Sequence, residues 1–125
     1  MSLFALVLVV AFLIAVQGFL LQTACAIAGE RPPTYGDALV NAMIAGFVAF
    51  LASSAFGCTF GIVIGLFSKY LAWFGSAAIG AAVAANVYRT RMFLPTNQAL
   101  AVAVIHHLLA WAISAAVWAL VSWWL

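Results

Sequence analysis

The sequence predicts an all-α polytopic membrane protein with four transmembrane helices in an up-down bundle. Three observations carry this. Of 125 residues, 70% are hydrophobic and only 5% charged, against roughly 45–50% and about 25% in an ordinary soluble domain. The few charges fall in narrow clusters, with long uncharged runs between them. All three prolines lie in those clusters, where none interrupts a helix. Such a chain lacks the polar surface of a cytosolic enzyme. A net charge of +2 is too small to imply nucleic acid as a partner.

The first uncharged run covers residues 2–29. A helix needs about 20 mostly apolar residues to cross the hydrocarbon core, and 18 in a row already qualify. The run predicts a helix over about 3–28. A cleaved signal peptide is the alternative, since Ala24, Cys25 and Ala26 form a small-residue triplet. The run lacks a positively charged start and exceeds the usual apolar stretch of such peptides, so it is read as a retained helix.

A connector from Glu30 to Asp37 follows, then a run of 31 residues ended by Lys69. At about 1.5 Å per residue that run overshoots a hydrocarbon layer of about 30 Å. The turn after it falls near Ser53 and Ser54 or between Gly65 and Lys69. An internal echo favours the second position. Pro33-Thr34-Tyr35-Gly36-Asp37-Ala38-Leu39 recurs as Pro95-Thr96-Asn97-Gln98-Ala99-Leu100 with one residue deleted. The echo suggests two tandem helical hairpins, a known plan for membrane bundles. The remaining helices then cover about 37–65, 69–90 and 97–124, and 1–125 form one domain. Asp37 is expected to cap the second helix, and Thr96 or Asn97 the fourth.

Lys and Arg counts orient the chain. The first and third connectors share a side and hold Arg31, Arg89 and Arg91, against Lys69 opposite. The Arg-bearing connectors are expected to face the cytoplasm of a plasma or bacterial inner membrane, with both termini outside. Trp73, Trp118, Trp123 and Trp124 then fall at the outer interface, and Tyr35 and Tyr88 mark the inner one.

Lipid tails are as apolar as leucine, so close backbone approach and interhelical hydrogen bonds must hold the helices together. Gly57, Gly61 and Gly65 repeat at four-residue spacing and are expected to form a packing face, within the chain or toward another subunit. His106 and His107 lie nine and ten residues beyond Asn97, deep in the hydrocarbon, where ionisable groups mark function by default. Consecutive helical residues point about 100° apart, so the two cannot serve one ligand together. Gln17 and Gln22 are their expected polar partners, with Gln17 at nearly the same depth. The simplest role for this set is interhelical pairing. A proton relay with Asn86 and a polar contact to another subunit are further readings. Ala103, His107 and Trp111 at four-residue spacing resemble the ligand segment of single-span light-harvesting polypeptides, over about nine residues. The resemblance implies His107, or less directly His106, as the axial ligand of a tetrapyrrole.

Other groups suggest no chemistry. Cys25 and Cys58 should lie near opposite faces, too far apart for a disulfide, and they give no metal-binding spacing. The Ser53 and Ser54 hydroxyls are expected to bond back to their own helix. Asn41 and Asn86 fall near helix ends, within reach of water or headgroups. Arg89 and Arg91 are fewer than the four to eight basic residues of a lipid-specific cluster. The sequence thus points to a non-enzymatic, cofactor-free structural or accessory subunit acting through helix packing. Its partners would be the bilayer and other membrane subunits or itself. A small oligomeric transporter or channel component, or a tetrapyrrole-binding subunit using His107, are the alternatives.

Overall fold

The computed structural model describes residues 2–124. They form four helices long and apolar enough to cross a membrane: α1 (Leu3–Ile27), α2 (Tyr35–Phe67), α3 (Lys69–Arg91) and α4 (Thr96–Trp124). The all-helical bundle agrees with the fold class read from composition and charge.

Each boundary has a local cause. The Ser2 hydroxyl accepts from the Ala5 N–H to open α1. Gly29 closes that helix at φ +81°, with Glu30 N–H donating to the Cys25 carbonyl and Gly29 N–H to that of Ala26. This is the Schellman arrangement, for which a residue without a β-carbon is the natural choice. At the start of α2 the expected cap is corrected. Thr34, not Asp37, is the N-cap, and its hydroxyl oxygen accepts from the Asp37 N–H at 3.3 Å. Asp37 sits three residues later, where its carboxylate takes the Thr34 hydroxyl proton at 2.9 Å, much as a capping-box partner does.

α2 is not uniform. Gly57–Gly61 winds as a π-helix, a widened turn that rotates everything beyond it. Thr59 supports it by donating its hydroxyl to the carbonyls of Ala55 and Phe56. Ser68 alone separates α2 from α3. Its backbone is extended, and its hydroxyl oxygen caps α3 by accepting from the Leu71 N–H. α3 carries Arg89 and Arg91 in its last turn, where cations complement the helix dipole.

The helices form a ring. α1 packs on α2 and α4, α3 packs on the same two, and the diagonal pairs do not meet among the described residues. One end holds both long connectors, and the other holds the termini and Ser68. Burial is concentrated toward the connector end: Gly18 to Cys25 on α1, Ala38 to Ala49 on α2, Gly80 to Tyr88 on α3 and Ala99 to His106 on α4. Toward the terminal end no residue of 3–17 or 107–124 is buried, and only Gly61 is in 50–67. The buried set is mostly alanine, which lets helices approach without a large side chain between them. Ala38, Asn41, Ala42 and Ala45 on α2 match Ala99, Val102, Ala103 and His106 on α4 in identical spacing. The two hairpins therefore bury the same pattern, set one residue closer to the Pro-Thr start in the second, where the echo lacks one residue.

Candidate functional site

The polar groups of the ring's interior gather where three helices meet. The Gln17 amide donates to the Leu13 carbonyl at 3.3 Å, an acceptor only, so its own oxygen faces the other way. That oxygen lies 3.0 Å from Nε2 of His106, which must carry the hydrogen. For a neutral imidazole Nδ1 is then the acceptor, and the Tyr88 hydroxyl donates to it at 2.8 Å. A directed chain thus runs from α3 through α4 to α1. Tyr88 is fully buried and His106 nearly so. Among the described residues no buried polar side-chain atom lacks a partner. Left unpaired in an apolar interior, these groups would cost roughly 1–3 kcal/mol each.

Gln22 does not join this chain. Its amide donates to the Pro33 carbonyl at 2.9 Å, tying the end of α1 to the first connector. His107 is separate too. Its Nδ1–H donates to the Ala103 carbonyl at 2.9 Å, so Nε2 holds the lone pair. That nitrogen stands in the α3–α4 seam opposite Gly80, where an added β-carbon would lie 4.0 Å from it. Asn86 binds the Arg89 guanidinium through its Oδ1 and stands apart from both histidines.

Above the buried chain, toward the terminal end, the ring opens. A cleft of about 300 Å³ is walled by Gly46, Ser53, Trp73, Ser76, His107 and Trp111 among others. A neighbouring cavity of about 160 Å³ reaches Gln17, His106 and His107. The Trp73 and Trp111 rings, 4.9 Å apart between centroids, join α3 to α4 at the cleft.

Helix contact does not follow the glycine series. A β-carbon at Gly57 would meet nothing within 4 Å, at Gly61 only the Phe56 backbone of its own helix, and at Gly65 the Ala72 β-carbon at 3.9 Å. The close approaches are elsewhere. A β-carbon at Gly18 would lie 2.6 Å from the Tyr35 ring, and at Gly80 2.9 Å from the Ser53 hydroxyl oxygen.

Several groups play parts that sequence reasoning missed. Tyr88 is buried inside the ring rather than presented outward, and the Tyr35 hydroxyl crosses to the Ala15 carbonyl at 2.7 Å. Ser53 does not bond back within its helix but donates to the Ser76 carbonyl of α3 at 3.0 Å. Asn41 is buried and accepts from Nε of Arg91 at 2.7 Å. Each was hidden because its partner lies on a helix distant in sequence.

Fold and site together define a small multi-pass membrane protein with a satisfied polar core. The chain matches no known protein family, no curated protein and no solved structure.

Proposed function

We propose that this chain is a structural or accessory subunit of a membrane assembly, with no catalytic chemistry of its own. It engages its partner through the open, terminal half of the ring. One observation carries the reading: fully buried residues concentrate at the connector end, while toward the terminal end the ring opens into a cleft of about 300 Å³ with small residues and two tryptophans in its walls. Small residues admit a neighbouring helix closely, and interhelical contact in lipid depends on that approach. The polar chain holds the other half rigid, as an accessory subunit needs. In this reading the arginine-bearing connectors face the cytoplasm.

Purification of the tagged full chain from its native membrane in mild detergent tests the proposal. A distinct membrane polypeptide should co-purify in fixed ratio and be lost when Ala77, another residue of the cleft wall, is enlarged by Ala77→Leu. A defined homo-oligomer in its place would favour the transporter or channel reading. Reporter fusions at both termini check the orientation, which fails if either is cytosolic.

A second reading rests on His107. Its tied Nδ1–H leaves the Nε2 lone pair free, the arrangement that orients a histidine toward a metal. A tetrapyrrole bound there gives visible absorbance that His107→Ala abolishes. Colourless protein from native membranes ends that reading.

A further inference from the structure

At the connector end, α2, α3 and both connectors line an open polar cavity of about 420 Å³, whose wall includes Arg31, Asp37, Asn41, Arg91 and Phe93. Arg91 does not hang free there. Its Nε–H donates to Oδ1 of Asn41 at 2.7 Å, and Asn41 is itself only 8% exposed. A buried amide holding Nε fixes the guanidinium plane. The two Nη groups keep no protein acceptor among the described residues. A guanidinium fork of this kind matches two oxygens of a phosphate group, which a point-charge ammonium does not. Arg31 brings a second guanidinium to the same wall.

Two further features bear on the ligand. Asp37 opposes an anion, but one of its oxygens is already occupied by the Thr34 hydroxyl, and two arginines outweigh one carboxylate. Phe93 holds φ +55°, a left-handed backbone that bulky residues rarely adopt, and the residue is 89% exposed. Strain of this kind gathers at binding sites. An aromatic ring held outward beside a polar cavity suits the boundary between headgroups and acyl chains. Arg89 differs: it turns to Asn86 at 3.3 Å and lines another cavity.

We infer that this cavity binds a phosphate-group anion, clamped by Arg91 and Arg31, with Asn41 as the positioning residue for Arg91. Basic pockets between transmembrane helices take phospholipid headgroups in this way, and free inorganic phosphate offers the same oxygens. The inference does not depend on the partner subunit proposed above.

The full-length protein decides it in two arms. In the first, protein is reconstituted in nanodiscs of phosphatidylcholine with a minor share of phosphatidylglycerol, and retained lipid is counted by native mass spectrometry. In the second, inorganic phosphate is titrated into lipid-stripped protein and the thermal midpoint is followed. Retention of phosphatidylglycerol over phosphatidylcholine should weaken about fivefold for each arginine removed in Arg31→Gln and Arg91→Gln. Arg89→Gln and Lys69→Gln should leave it unchanged. A midpoint raised by phosphate alone, with the same arginine dependence, assigns the site to the free anion. Arg31→Gln lies in an exposed connector, and retained helicity by circular dichroism shows that it folds. The inference is overturned if neither probe binds, if both arginine variants bind like the native chain, or if Arg89→Gln loses as much.

Discussion

Tyr88 of α3 gives its hydroxyl hydrogen to Nδ1 of His106 on α4, 2.8 Å away, and both residues are buried. The bond is the first link of a chain that ends on α1, so its removal is felt in two seams at once. Tyr88→Phe should cost about 0.6–2 kcal/mol, the range for interhelical hydrogen bonds in lipid. Gln17→Leu should cost a similar amount. The double variant should fall short of their sum, because the two act on one imidazole. Reversible unfolding in mixed micelles measures all three, and strict additivity would count against a shared network.

Close helix approach predicts a different hierarchy among glycines than their spacing does. Gly18→Val and Gly80→Val should each destabilise by about 1–3 kcal/mol, as overpacking does. Gly57→Val, with open space around it, should stay within about 0.5 kcal/mol. The same unfolding assay ranks them, and an equal cost at Gly57 would restore the glycine series as a packing face.

Gly29 makes a purely local prediction. At φ +81° it has no neighbour within 4 Å of an added β-carbon, so only backbone strain opposes substitution. Gly29→Ala should cost about 1–2 kcal/mol and Gly29→Asn less, as a thermal midpoint series will show.

The two thiols should separate by access. Cys25 is fully buried and Cys58 exposed. A membrane-permeant maleimide should label Cys58 in the folded protein and reach Cys25 only on denaturation, a difference read by intact mass. Equal labelling of both in the native state would contradict the packing of α1.

Helix number and bundle class were legible because charges and prolines are expelled from the hydrocarbon, and this sequence has few of either. Side-chain placement was less so. The Gly57, Gly61 and Gly65 spacing assumes uniform α-winding, and a π turn occupies that segment. Tyr88 sits beside Arg89 and reads as an interfacial ring, yet helix rotation turns it inward. Asn41 reads as solvated until Arg91 is seen reaching it from fifty residues away. The depth match of Gln17 and His106 was readable, because depth follows from counting along helices. That Gln22 would turn to Pro33 depended on the path of a connector, which no count supplies.

Three of the ring's four seams are crossed by the chain itself, through the two connectors and Ser68. The seam between α1 and α4 is not, and among the described residues its one side-chain hydrogen bond joins Gln17 to His106. Mechanically the molecule is a strip of four staves rolled into a tube and fastened by a single clasp. Opening that seam alone would unroll the bundle without pulling on any connector.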